Sequence, residues 1–380
     1  MKKLLIAVAV STLSMTAAQA APTLYGKLNV TLDQVDNSDF AGNDVTALNS
    51  NASRIGVKGE EKLTDKVSVV YLAEWAISTD GSGSDTDLSM RNRFLGLKFN
   101  KIGTLKAGRY DTYFKTNAGN NQDIFNDHTI LDMTSVLHGE ERSNNAIGFE
   151  TDKDLIVPGL QFNIMAQQGE DTTTDNTANG QEGKRDGFGD GISTSLTYEN
   201  KDYGLAAAVA GNFGVAGKYN AYGLSGIYSD AIRVTGSFDF AKAGLNGLVL
   251  GALWQNAQPT DDSVVISKTT SVTTKDINGF DQTKTTKTST SYKGLEEDAF
   301  TVTLAYTIPS TPWKIKGEYI ESNTSVDNRS DRKISQYGLG VDYNFNKQAR
   351  FYGVLAQQKR DWLSDDDKKT VVGVGMEYNF

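Results

Sequence analysis

The sequence predicts an all-β fold, a transmembrane antiparallel β-barrel of about 16 strands, and three observations carry that prediction. Apolar and polar residues alternate with a period of two along the whole chain. The connections between these runs alternate between short and long. The apolar face carries aromatic residues near the strand ends, as a girdle at a membrane interface does.

The alternation is clearest in the last third. Phe300, Val302, Leu304, Tyr306 and Ile308 share one face, with Thr301, Thr303, Ala305 and Thr307 on the other. Tyr337, Leu339, Val341, Tyr343 and Phe345 repeat the pattern, as do Val372, Val374, Met376, Tyr378 and Phe380. Ile232, Val234, Gly236, Phe238 and Phe240 alternate with Arg233, Thr235, Ser237 and Asp239. The polar face is rich in charge, Gly and Thr, which suits a wet lumen better than the outside of a soluble sandwich. The aromatics Tyr306, Trp313, Tyr343, Phe345, Tyr378 and Phe380 lie at strand ends.

Short connections are expected at 61–65, 100–103, 200–203, 309–312 and 344–347. Long polar ones are expected at 34–50, 79–87, 112–141, 169–189, 257–293 and 360–369. A count of strands gives sixteen or seventeen, with 204–247 as the ambiguous stretch. Sixteen follows if both ends of the barrel lie on the same side of the membrane. The Thr-, Lys- and Ser-rich run 267–291 centres on Asn278-Gly279, a dipeptide that favours tight hairpins. It reads equally as a hairpin or as a mobile loop.

The 380 residues include only 5 prolines, and the 37 glycines are scattered, so no linker divides the chain. Residues 21–380 are read as a single barrel domain. Lys2 and Lys3, the apolar stretch opening at Leu4 and the small residues of Ala18-Gln19-Ala20 form a signal peptide over 1–20, too short to cross a bilayer. Export with cleavage near Ala20 is expected, and loss of the two lysines moves the formal net charge from −9 to −11. No apolar run after residue 20 is long enough for a membrane helix. With no cysteine, the chain has neither a disulfide scaffold nor thiol chemistry.

Catalytic signals are thin. The two histidines, His128 and His138, lie in one loop beside Asp127, Asp132, Glu140 and Glu141, with no serine or second carboxylate in register. No metal-ligand spacing is present, and Gly373-Val374-Gly375 lies inside a strand with no helix after it. No enzyme activity, cofactor, metal or nucleic-acid partner is expected.

Several motifs resemble the general trimeric porins of Gram-negative outer membranes. Leu24 to Leu28 (LYGKL) looks like their opening strand, and Ser53 to Glu61 (SRIGVKGEE) like their second-strand motif. Arg91 to Lys98 (RNRFLGLK) followed by Gly103 to Arg109 (GTLKAGR) is similar to the strand pair before their constriction loop. The chain ends on Tyr378-Asn379-Phe380, like their C-terminal aromatic signal. The likeness spans the whole chain, specific at 23–110 and at the C-terminus and weak between. It implies an inward-folded third loop, about 112–141, facing a basic wall at Lys27, Arg54 and Arg91, with Arg142 as a fourth member. Alternation agrees for three of these, since Lys27, Arg54 and Arg91 fall out of phase with Leu24 and Leu28, Ile55 and Val57, and Phe94. Arg93 is expected to share the face of Arg91. The loop departs from the enteric members by lacking their acidic motif, leaving Asp123, Asp127 and Asp132 as its acidic candidates. Tyr378 and Phe380 stand at the positions of the assembly signal.

The resemblance implies passive diffusion of small hydrophilic solutes through each protomer of a homotrimer in the cell outer membrane. The expected partners are outer-membrane lipid, lipopolysaccharide and the barrel-assembly machinery. Two alternatives are a substrate-specific channel, against which no lumen-facing aromatic slide can be identified, and an adhesin or phage-receptor barrel. The patch Val57, Val69, Tyr71 and Ala73 is expected to face outward in the region that forms the trimer contact.

Overall fold

The computed structural model describes residues 21–81, 88–119, 122–125, 128, 131–170, 181, 184–275 and 281–380. The leader expected at 1–20 and Asp127 lie outside the described residues.

The chain runs as an up-and-down meander. Its first seven strands are β1 (Thr23–Asp36), β2 (Val45–Ser50), β3 (Arg54–Lys62), β4 (Val67–Ala76), β5 (Ser89–Phe99), β6 (Gly103–Asp111) and β7 (Arg142–Thr151). The middle holds β8 (Leu160–Gln168), β9 (Phe188–Asn200), β10 (Leu205–Tyr219), β11 (Leu224–Asp239) and β12 (Leu248–Pro259). A separate hairpin, β13 (Ser263–Lys275) and β14 (Asp281–Lys293), precedes β15 (Glu296–Thr307), β16 (Trp313–Ser325), β17 (Arg332–Asn344), β18 (Ala349–Arg360) and β19 (Lys368–Asn379). Seventeen strands form one sheet, and β1 pairs with β19 on one side and with β2 and β3 on the other, so the sheet closes. Because β2 and β3 lie end to end along the same edge of β1, the closed wall has 16 strands. Closure satisfies every edge, which a hydrocarbon environment requires.

The surface is inverted relative to a soluble protein. Leu24, Leu95 and Val374 are each about three-fifths exposed, whereas Asn29, Thr31, Ser193, Gln255 and Gln336 on the opposite face are buried. A soluble sandwich would bury the first set; a barrel in lipid exposes it. At the short-turn rim the rings form a chain, Trp313 to Tyr343 at 4.9 Å, Tyr343 to Phe345 at 5.0 Å and Phe345 to Phe351 at 5.2 Å. Tyr378 stacks on Phe380 there, and Phe380 exchanges backbone hydrogen bonds with Gly26, sealing β19 against β1.

The ambiguous stretch 204–247 resolves into two strands. β10 and β11 pair from Leu205↔Phe238 to Tyr219↔Leu224, with register shifts after Asn212 and after Gly217. Their connection is a single 3-10 turn (Asn220–Tyr222) ending in left-handed Gly223, so this long-loop position holds a short link. The run 267–291 is a hairpin: β13 and β14 pair without interruption from Ser263↔Lys293 to Lys275↔Asp281. Its expected Asn278-Gly279 tip is outside the described residues.

Segment 112–141 contains a short helix, α1 (Tyr113–Gly119), and a 3-10 turn (Met133–Ser135). It lies against the polar face of the wall. Phe114 donates its N–H to Ser193 Oγ at 3.1 Å, Gln122 Nε2 donates to the Gly236 carbonyl at 2.9 Å, and Lys316 Nζ donates to the Ile124 carbonyl at 3.2 Å. Phe125 and Leu131 pack with Tyr352, Val354, Ala356 and Val371, while Met133, Val136 and Leu137 pack with Leu253, Ala299, Ile320 and Ile334. Glycine makes this approach possible, as Gly217 and Gly338 show. A Cβ at Gly217 would collide with the His138 ring, and one at Gly338 would collide with Leu131.

Candidate functional site

The basic residues singled out in the first strands lie along one arc. Lys27 and Arg54 are register partners on β1 and β3, and Lys27 is buried. Arg54 Nε lies 3.9 Å and Arg91 Nε 2.6 Å from the Glu74 carboxylate, which also accepts the Tyr25 hydroxyl at 2.9 Å. Asn92 then links the next two charges. It donates to Asp111 Oδ2 at 2.7 Å and accepts from Arg142 Nε at 2.9 Å. Asp111 Oδ1 lies 3.3 Å from Arg142 and 3.6 Å from Lys115 of α1. The arc thus runs from β1 to the point where segment 112–141 leaves and rejoins the wall.

Arg93 does not join it. The β4–β5 register shifts between Ala73 and Trp75, so Arg91 and Asn92 together lie opposite Glu74. A bulge inserts one residue and reverses the phase of everything beyond it. Arg93 therefore lies on the outer face, its guanidinium 4.8 Å from the Trp75 ring and its backbone opposite Arg109. The same slip corrects a second expectation by turning Phe94 inward. There Phe94, Tyr110 and Tyr113 surround Lys106, which is ion-paired with Glu150. Aromatic side chains do therefore occur on the inner face, but Tyr110 and Tyr113 are 3% and 1% exposed and offer no slide to a passing solute.

The acidic candidates of the loop have different settings. Asp132 caps the 3-10 turn, accepting from Thr134 N at 2.8 Å and Thr134 Oγ1 at 2.6 Å. That local bond is the habit of an aspartate at a helix start. Asp123 is half-buried between Gln122 and Ile124, both bonded to the wall. Asp127 lies outside the described residues. The two histidines separate: His128 Nε2 is 3.4 Å from Asp33 on β1, whereas His138 Nδ1 is 3.0 Å from the Lys218 carbonyl on β10. Burial pushes His138 down to about 4.

The residues that hold the loop were not singled out beforehand. Arg233, fully buried, pairs with Glu140 at 2.7 Å and stacks 4.2 Å from the Phe114 ring. Glu297 accepts His138 N–H at 2.9 Å and Gln255 Nε2 at 2.9 Å. Arg233 was visible as a polar member of its strand; that it meets Glu140, 93 residues earlier, comes from segment 112–141 lying against β11. Glu74 carried a usable signal, since it interrupts the apolar run of β4 on the face of Val70 and Leu72.

A family model described as Gram-negative porin matches residues 5–362. Outer membrane porin protein OmpD of Citrobacter koseri is 29% identical over 225 residues, covering 55% of this chain and 58% of that protein. The match thus takes in little more than half of the relative's length. Among solved structures, an anion-selective porin from Comamonas acidovorans superposes with a TM-score of 0.65 at 17% identity, covering 95% of this chain and 99% of that one. OmpT of Vibrio cholerae in its trimer form gives 0.61 at 16% identity, covering 96% and 100%. At such identities the structural likeness speaks for the fold.

Proposed function

Because the chain belongs to the Gram-negative porin family, we propose that it forms a water-filled channel for passive diffusion of ions and small hydrophilic solutes. The family and the barrel place it in the outer membrane. The observation that carries the channel reading is the asymmetry of the inner wall: segment 112–141 covers one side, and the other presents the arc of Lys27, Arg54, Arg91 and Arg142. On this reading the segment is a constriction loop, and Glu74 and Asp111 are shared among Arg54, Arg91, Arg142 and Lys115, leaving that set net basic. Charges held across a narrow wet passage set up a transverse field that orders water and dipolar solutes and disfavours apolar ones. No catalytic role is assigned to any of these groups.

The wider assignments belong to the same proposal. Residues 1–20 are a leader removed near Ala20, and 21–380 form one barrel domain. The outward patch of Val57, Val69, Tyr71 and Ala73 is part of the contact of a homotrimer, whose ring closes through heterologous contacts between two different patches of each protomer. A trimer form is known for the Vibrio cholerae neighbour. Lipid and lipopolysaccharide contact the outer belt, and Tyr378 and Phe380 present the edge read by the barrel-assembly machinery.

The test is conductance of the purified protein in a planar bilayer. A large ohmic conductance unaffected by added sugars is expected. Block by micromolar solute would replace the reading with a substrate-specific channel, and absence of conductance would leave a barrel that acts through its loops.

A further inference from the structure

Above the covered part of the wall, at the long-loop end, cations and aromatic rings alternate. The Phe40 ring lies 4.7 Å from Lys369 Nζ and 4.0 Å from the Arg360 guanidinium. Arg360 is also 5.8 Å from the Trp362 ring, and Arg332 is 5.3 Å from Trp362 and 4.2 Å from Tyr222. The three cations stand at the ends of β17, β18 and β19, in phase with the inward Ile334, Gln358 and Val371. The rings come from three separate connections of the long-loop rim. Trp362 and Tyr222 rest on the cluster containing Met133, Val136 and Leu137, so the group sits directly on segment 112–141 at the entrance.

None of these cations is in a close ion pair, although the charge of Asp39 reaches Lys369. Among the described residues no carboxylate lies within 4.0 Å of Arg332, Arg360 or Lys369. Arg332 donates one bond, to the Ala221 carbonyl at 3.0 Å, and Arg360 Nε is buried with no hydrogen-bond partner. The neighbouring acids make their close bonds elsewhere. Asp39 accepts from Asn43 Nδ2 at 2.6 Å and Ala41 N at 3.0 Å, Asp361 accepts Lys333 N–H at 2.7 Å, and Asp367 pairs with Lys359 at 3.3 Å. A guanidinium stacked on a ring face keeps its in-plane N–H donors free for the two oxygens of a carboxylate. Partly desolvated cations without a close ion pair gain from an anion, and rings beside them supply a face for a flat apolar body.

We propose that Arg332, Arg360 and Lys369, with Phe40, Trp362 and Tyr222, form a binding site for a small aromatic carboxylate at the entrance of the barrel. The inference takes from the channel reading only the route by which the solute arrives; binding itself does not require conduction. Of the four tryptophans, Trp75, Trp254 and Trp313 lie on the outer face, so quenching of Trp362 reports on this site.

Benzoate added to the full-length protein in detergent should quench tryptophan emission saturably, and the quench should vanish in Trp362→Phe. Replacing both guanidiniums (Arg332→Gln with Arg360→Gln) should weaken benzoate by about tenfold or more, since charge-assisted bidentate bonds are lost. The milder Lys369→Gln, which leaves both arginines on their rings, should weaken it by a few fold. Equal benzoate affinity in wild type and double variant would overturn the site. So would benzyl alcohol binding as tightly as benzoate, or inorganic phosphate competing as well as benzoate, since stacking alone or charge alone would then suffice. Saturable quenching in a barrel that fails to conduct would support the site while removing the channel reading.

Discussion

The two halves of the inner wall are built by the same alternation and end in opposite environments. Along β3 to β7 the inward charges form open pairs: the side chains of Arg54 and Arg91 keep 22% and 14% of their exposure while reaching Glu74. Along β10 to β18 the inward positions hold fully buried Arg233, Gln255, Ile320 and Ile334, covered by segment 112–141. An inward position therefore behaves as surface where nothing covers it and as core where the loop lies. In the first half, charge is screened by water and substitution changes the field; in the second, charge is desolvated and substitution changes packing.

The sharpest way to break the comparison is to remove one member of the buried pair. Glu140→Ala leaves Arg233 charged and without its carboxylate, a loss of about 3–5 kcal/mol for pairs of this kind. The loop should loosen, read as larger and noisier single-channel currents and as faster proteolysis within 112–141. Unchanged current noise and proteolysis would place Glu140–Arg233 among surface pairs.

Acid should act on the same half by about 3 kcal/mol at most. Burial holds His138 at about 4 against 6.5 for a solvated imidazole, so the released loop binds a proton before the docked loop does. The His138 contribution to docking is complete above pH 6.5 and weakens by about 1.4 kcal/mol for each pH unit down to about 4. The ratio of loop proteolysis at pH 5 to that at pH 7 should be higher in wild type than in His138→Gln. Parallel pH profiles for the two would remove His138 as the cause.

In the open half the effect should be on selectivity with little on stability. Replacing Arg54 and Arg91 together by Gln leaves Glu74 without its cations, so the reversal potential under a salt gradient should move toward cation preference. Glu74→Gln should move it the opposite way. Both shifts should fade as salt rises, because screening within about 10 Å at 0.1 M erases fields between exposed charges. The smallest effect is expected from Arg93→Gln, which sits on the outer face by Trp75 and should leave reversal potential unchanged. A shift as large as that of Arg91→Gln would return Arg93 to the pore.

These assignments mark where the sequence was readable. The run from Phe300 to Ile308 declares its faces because lipid on one side and water on the other leave no alternative. Lys27 and Arg54 were legible for the same reason. Arg93 was not: the slip opposite Glu74 belongs to the pairing of two strands, and neither strand carries it alone. Arg233 and Glu140 are distant in the chain and meet where segment 112–141 lies against β11. Asp132 was readable as an acid, but its role as a turn cap depends on Thr134 being two residues on in the right conformation. The entrance group is harder still, since its rings are drawn from three connections, none aromatic-rich by itself.

The seal between β19 and β1 has a kinetic consequence. Ten register pairs, from Lys27↔Asn379 to Asp36↔Thr370, join residues more than 330 positions apart. Contacts so remote in sequence are slow to form, because the chain between them must first be ordered. Apart from β1–β3 and β12–β15, which span an inserted strand or hairpin, every other wall pair joins consecutive strands, whereas β1 and β19 must come together from opposite ends of the wall. An unclosed barrel offers two ready templates for strand addition by any other extended chain. The rate of that final pairing, more than the stability of the finished wall, then sets how long each molecule stays vulnerable to aggregation.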